Sequence, residues 1–228
     1  MKWFEDALLH WNIPITIPQL RQFDTYCQFL LSKNQVMNLT AITEPSEVYR
    51  KHFLDSLSLT QAMSLEGKTL LDVGAGAGFP SIPCKIIVPS LQVHIIDSLG
   101  KRITFLEELA SLLGIQIQAT HGRVEELPKT SLYDIVTARA VARLSILLEL
   151  CLPFAKVGGV FVAMKSMDYV QELSESKEAI TLLGGVLEQV VPYSIEGDDK
   201  RVLLVFRKIN PTPIIYPRSF GKIKAKPL

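Results

Sequence analysis

Two hydrophobic rhythms divide the chain near residue 68. Before it, apolar positions recur at helical spacing. The opening "MKWFEDALLHW" carries Glu5 and Asp6 inside an apolar stretch and predicts an amphipathic helix rather than a signal peptide. After Pro18, a residue suited to a first turn, Leu20, Phe23, Cys27, Leu30 and Leu31 share a helix face. The loop "NLTAITEPSE" supplies Thr43 and Ser46 as possible caps and Pro45 as a helix start. "EVYRKHFLDSLSL" continues that helix, with Val48, Phe53, Leu54, Leu57 and Leu59 on or near one face. Trp3, Phe4 and Trp11 are expected to pack inside this helical region.

From Lys68 onward, short apolar runs alternate with helical stretches. "TLLDV", "LQVHIID", "IQIQAT", "YDIVTAR" and "GGVFVAMK" read as strands, with helices starting near Pro80 and Lys101 and running through "LSILLELCLPFA" and "YVQELSESKEAITLLG". Gly114 ends the second of these helices. "VLEQVVPY" and "RVLLVFRK" predict a closing antiparallel pair. Alternation of this kind implies right-handed crossovers and an α/β fold with a mainly parallel, seven-stranded, Rossmann-like sheet. The expected division is a helical extension over 1–64, a core over 65–209 and a basic tail over 210–228, whose prolines in "NPTPIIYP" oppose regular structure.

Composition mostly excludes. A hydrophobic share of 48% suffices for a sizeable core, and a net charge of +1 argues against a protein basic all over. Cys27, Cys84 and Cys151 never form a CxxC pair and read as reduced thiols in a cytoplasmic protein. The four histidines lack metal-ligand spacing, so no metal site is expected, and no apolar run is long enough to suggest a membrane span. Locally the charge is uneven: no acid follows Asp199, while Arg218, Lys222 and Lys224 fall among Tyr216 and Phe220. Such a tail suits phosphate contact and base stacking, or else a solvated strap lying on the domain.

The chemistry concentrates at "LLDVGAGAGFP". A dinucleotide fingerprint requires G-x-G-x-x-G, and counting from Gly74 puts Phe79 where the third glycine belongs. What stands here is Asp72 followed by Gly74, Gly76 and Gly78. An acid at the strand end would repel a pyrophosphate and attract the amino acid end of a cationic ligand. S-adenosylmethionine, with its sulfonium and ammonium, fits that demand. Asp97 ends the next strand, where a carboxylate can accept from ribose hydroxyls; Ser98 follows it. Glu125, with Val124 beside it, sits in the loop after the third strand, where an adenine is usually gripped. Each feature alone has a bland explanation as a cap or turn residue. In this order, on these elements, they point to an S-adenosylmethionine-dependent methyltransferase.

With these residues in view, the chain resembles the glucose-inhibited division protein B family, the 16S ribosomal RNA guanine-N7 methyltransferases. The matching stretches are "NLTAITEPSEVYRKHFLDSL", "LLDVGAGAGFPSIP", "IIDSLGKRITFLEE", "HGRVEEL", "YDIVTARAVARL" and "PTPIIYPRSFGKIKAKPL". "RKHFLDSL", "DSLGKR" and the "ARA" after the fourth strand are the more specific ones. The resemblance implies a class I methyltransferase fold with an N-terminal helical addition, S-adenosylmethionine as donor, and a guanine of the small-subunit decoding region as acceptor. It also implies cofactor contacts at Gly74, Phe79, Val124, Glu125 and Arg139. Ser81 and Cys84 depart from the residues usual in that family but are small enough to leave the site open.

Arg139, at the end of the fourth strand, is the candidate catalytic residue, contacting cofactor or orienting substrate; a salt bridge closing the strand end is the alternative. Arg123, Arg143 and Lys165 are candidates for phosphate contact, with surface solubility as the alternative. His52 is expected to be packed or bonded to a neighbour, with Asp55 one helical step away, or to shape a pocket lid. The expected partner is 16S rRNA or a precursor of the small subunit, met by a monomer. Competing functions are methylation of a small molecule or protein, an inert RNA-binding module, and, last, a NAD oxidoreductase.

Overall fold

The computed structural model describes residues 1–130, 132–139, 142–195 and 199–228. Among them seven strands form one sheet: β1 (Thr69–Val73), β2 (Gln92–Asp97), β3 (Gln118–His121), β4 (Tyr133–Arg139), β5 (Ala155–Ser166), β6 (Gly185–Ile195) and β7 (Asp199–Lys208). Their order is β3-β2-β1-β4-β5-β7-β6. Strands β1 to β5 are parallel, and β7 inserts antiparallel between β5 and β6. The chain leaves β1 toward β2 on one side and returns to β4 on the other. Strand order therefore reverses at β1/β4, which opens a crevice at the carboxyl ends of these strands.

Period-two alternation divides the core into two layers. Leu70, Val93, Ile95, Ile135, Val162 and Leu203 face one side, with the N-terminal helices and the helices Ser81–Ile87 and Gly100–Leu113. Leu71, Ile96, Val136, Phe161, Leu204 and Phe206 face the other, with the helices Leu144–Cys151 and Lys177–Leu182. The N-terminal helices are thus part of the first layer. Phe4 is buried there, with Trp3 and Trp11 half-buried against it. The long helix Ile17–Met37 begins in a capping box, Thr16 with Gln19. It also serves its neighbours: Gln19 Nε2 donates to Ile86 O (2.8 Å) and Gln22 Nε2 to Leu113 O (2.8 Å). These bonds satisfy carbonyls that two helix C-termini would otherwise leave open.

Three elements differ from the sequence expectation. "EVYRKHFLDSLSL" is not one regular helix: Tyr49–Leu54 winds as a π-helix between Pro45–Val48 and Asp55–Leu57. The wider turn re-aims the residues after it, a feature that periodicity of apolar positions does not reveal. Strand β3 pairs only over Gln118–His121, opposite His94–Asp97 of β2; Ile115 and Ile117 pack against the core outside the ladder. The stretch "YVQELSESKEAITLLG" breaks at Ser176, whose hydroxyl turns back onto Glu172 O (2.7 Å).

The tail is a strap with a helix of its own, Phe220–Ala225, whose Ile223 is buried in the second layer. Its anchor is electrostatic. Glu149 has no exposed side-chain surface and receives Arg218 N (3.0 Å), Nε (2.7 Å) and Nη2 (2.6 Å). A buried carboxylate left without such donors is strongly destabilising. Arg218→Ala is therefore expected to lower unfolding free energy by about 3–5 kcal/mol, read as a shift in the urea midpoint. An unchanged midpoint would mean the Arg218 side chain contributes nothing to the fold.

Candidate active site

The glycine loop leaves β1 with Gly74 N donating to Ile96 O (2.8 Å), which ties the turn to β2. Gly78 lies at φ +101, and a Cβ there would stand 2.7 Å from Ile82 Cδ1 and 2.9 Å from Tyr26 Oη. Close packing of loop against helix requires that glycine. Gly76, at φ +62, differs: no atom lies within 4 Å of where its Cβ would be. It needs glycine for backbone conformation and keeps open space beside the chain.

That space belongs to a crevice of about 390 Å³. The backbone of Gly74, Ala75, Gly76 and Ala77 forms one wall, and Asp97 and Ser98 at the end of β2 form the next. Leu39, Thr40, His52, Phe79 and Arg139 close the side toward the N-terminal helices. Asp97 is nearly fully buried. Its Oδ1 accepts from Leu99 N (3.0 Å), and its Oδ2 from Gly76 N (3.1 Å) and Arg102 Nη1 (3.2 Å). A carboxylate accepts about four bonds, so one position remains on Oδ1. Arg102 is 31% exposed and reaches Asp97 by one contact. Room beside Gly76 and a fixed acceptor at Asp97 match what an adenosyl group with ribose hydroxyls requires.

At the opposite wall stands Arg139, and its surroundings were only partly legible in the sequence. Its Nη1 donates to Asp55 Oδ2 (2.8 Å) and Lys51 O (3.2 Å), and its Nη2 faces His52 Nδ1 at 3.1 Å. The guanidinium also covers the Phe79 ring at 4.9 Å, while His52 stacks on that ring at 4.4 Å. Arginine only donates, so His52 Nδ1 accepts and Nε2 carries the proton, which it gives to Thr40 Oγ1 (2.8 Å). Burial, and then the charge of Arg139, push His52 down to about 3, so it is neutral near pH 7. Asp55, expected beside His52, bonds instead to three distant strands: Arg139 of β4, Arg201 of β7 (3.1 Å) and Tyr193 Oη of β6 (2.8 Å). No sequence pattern pairs those positions; only the sheet order brings them together.

Other candidates are placed less directly. Asp72 was expected to meet a cation, but it has no exposed surface and does not reach the crevice wall. Its Oδ2 accepts from Ser81 N (3.1 Å), while Oδ1 and the Ser81 hydroxyl are buried with no hydrogen-bond partner among the described residues. Burial raises its carboxyl to about 7 against the pull of Ser81. Val124 is buried and is not part of the crevice lining, and Glu125 Oε1 accepts from Phe220 N of the strap (3.1 Å). The three acids therefore do not ring the crevice; Asp97 alone forms its wall. Arg123 lies over the Phe220 ring (5.1 Å), Arg143 pairs with Glu175 (2.8 Å) and Lys165 with Glu172 (2.8 Å). Lys222 and Lys224 are exposed on the strap helix. Among the described residues no helix is long and apolar enough to cross a membrane, and no group of His, Cys, Asp or Glu could hold a metal ion. Ala140 of the "ARA" motif and Val141 after it lie outside the described residues.

Sheet order, glycine loop and strand-end acid together define a class I methyltransferase fold. The structure of M. jannaschii TYW2 in complex with AdoMet shares it, with a TM-score of 0.55 and 17% identity over 68% of this chain and 77% of that one. Sequence comparison is more specific, and the chain belongs to the family described as rRNA small subunit methyltransferase G, whose model matches residues 19–202. The ribosomal RNA small subunit methyltransferase G of Levilactobacillus brevis is 47% identical over 235 residues, covering 99% of this chain and 97% of the relative. That of Limosilactobacillus reuteri is 48% identical, covering 99% and 98%.

Asp72, beneath the glycine loop, and His52, in the crevice wall, respond to pH in opposite directions. Asp72 holds in the fold a proton that the unfolded chain loses near pH 4, so its contribution falls as pH rises from about 4 to 7. His52 refuses in the fold a proton that the unfolded chain binds below about 6.5, so its contribution rises with pH from about 3 to 6.5. In urea titrations between pH 4 and 6.5, Asp72→Asn is expected to steepen the gain of stability with pH, and His52→Gln to flatten or reverse it. Parallel profiles for the wild type and both variants would contradict these assignments.

Proposed function

We propose that the chain transfers a methyl group from S-adenosylmethionine to N7 of one guanine in 16S ribosomal RNA. The observation that carries this is the Asp97 crevice at the switch point of a chain belonging to the small-subunit methyltransferase G family. Gly74, Gly76, Gly78 and Phe79 shape the loop that the donor would lie against, and Asp97 and Ser98 would hold its ribose. Val124 and Glu125 would flank its base. When bound, S-adenosylmethionine supplies a methyl group already activated by the sulfonium charge.

The protein's task is then geometry. Guanine N7 is a neutral lone pair and needs no general base, which accords with a neutral His52 whose two nitrogens are both engaged. Arg139, fixed by Asp55 and Phe79, would border the reacting atoms and set the angle at which the acceptor meets the methyl carbon. Lys222, Lys224, Arg123 and Arg143 would contact phosphates. With net charge only +1, that contact depends on local patches and on salt. Such a substrate places the work of the protein in the cytoplasm, and a monomer suffices for it.

Mass mapping of 16S rRNA from cells lacking the protein is expected to show loss of a single 7-methylguanosine, restored by the wild-type chain. A full modification pattern in those cells would overturn the proposal. By calorimetry S-adenosylmethionine is expected to bind and NAD is not. Asp97→Ala is expected to weaken donor binding about 10- to 100-fold, the worth of charge-assisted hydrogen bonds. Undiminished affinity would remove Asp97 from the site.

A further inference from the structure

Next to the donor crevice lies a second pocket of about 350 Å³, and Arg139 belongs to the walls of both. Ala142 beyond β4, Met164 and Ser166 of β5, Tyr193 of β6 and Asp199 of β7 bring it together on the same sheet edge as Gly74 and Asp97. We propose that this pocket receives the acceptor guanine, and that the carboxylate of Asp199 reads its N1–H and N2–H edge. The inference rests on the guanine methylation proposed above and names the subsite that selects the base.

Three features of the pocket fit a purine that becomes charged. First, Met164 and Ala142 offer an apolar wall, with a polarizable thioether suited to an aromatic ring. Second, the cations there are largely neutralised. Asp55 holds Arg139 and Arg201, Asp199 Oδ2 takes Arg201 Nη2 (3.1 Å), and Glu172 takes Lys165 (2.8 Å). In the transfer, N7 forms a bond to the methyl carbon, the carbon–sulfur bond breaks with its electron pair going to sulfur, and no proton moves. Positive charge arrives on the purine, and bare cations against the ring would oppose it. The exposed Lys200 has no carboxylate partner among the described residues and sits where the phosphate next to a seated base would pass.

Third, Asp199 Oδ1 has no partner among the described residues, while Oδ2 is tied to Arg201 and fixes the side chain. Guanine presents two donors to such an acceptor, whereas adenine presents one donor and one acceptor. The N2 amino group lies across the ring from N7. A guanine held by that edge at Asp199 therefore turns N7 away from it, toward the Arg139 wall and the donor crevice.

Single-turnover methyl transfer to small-subunit rRNA, with guanosine or inosine ligated in at the target position, tests this. Ala142→Trp fills the pocket and is expected to reduce transfer at least about 100-fold, with the donor dissociation constant within about twofold of wild type. Wild type is expected to prefer guanosine to inosine about tenfold, since inosine lacks the N2 donor. Asp199→Asn is expected to abolish that preference. It changes one terminal atom at a half-exposed position, and it decides the matter if the tryptophan variant does not fold. Near-normal transfer by Ala142→Trp, or an unchanged preference in Asp199→Asn, overturns the subsite while guanine methylation stands. Absence of any guanine methylation by wild type overturns that reading and the subsite with it.

Discussion

A carboxylate with no exposed surface must find donors inside the protein, and Asp55 finds them on three strands. Arg139, Arg201 and Tyr193 come from β4, β7 and β6, and their convergence on one side chain docks the N-terminal helices against the sheet edge. Removing one partner from such a buried cluster leaves the others uncompensated, which makes the arrangement rigid rather than adjustable. It also determines where two pockets meet. Arg139 stands between them because Asp55, Lys51 O and the Phe79 ring hold it from the helical side.

The donor side follows from topology more than from charge. Strand order reverses at β1/β4, the glycine loop crosses that point, and Asp97 ends the strand next to it. Asp72 supports the loop: its Oδ2 takes Ser81 N at the start of the following helix, and the side chain is fully buried. The acid that drew attention in the sequence is a structural residue of the turn; the acid that forms the wall is Asp97.

Much of this was legible beforehand. The strands, their mainly parallel order and the closing antiparallel pair followed from alternating rhythms, and Gly76 and Asp97 from motif spacing. What escaped depended on long-range geometry. The π-turn at Tyr49–Leu54 leaves no mark on apolar periodicity. The partners of Asp55 are separated from it by more than eighty residues and meet only through sheet order. The basic tail read either as a nucleic-acid arm or as a strap on the domain, and composition left both open because it records charge and not its partner; Arg218 is committed to the buried Glu149. Lys222 and Lys224 on the strap helix are exposed.

The central claim is that donor and acceptor approach Arg139 from opposite sides. A crystal structure with S-adenosylhomocysteine tests it most directly. The account predicts ribose hydroxyls on Asp97 and the sulfur facing the Arg139 wall, with the Asp55 contacts intact. A ligand seated away from Asp97, or lying in the pocket lined by Met164 and Asp199, would contradict it.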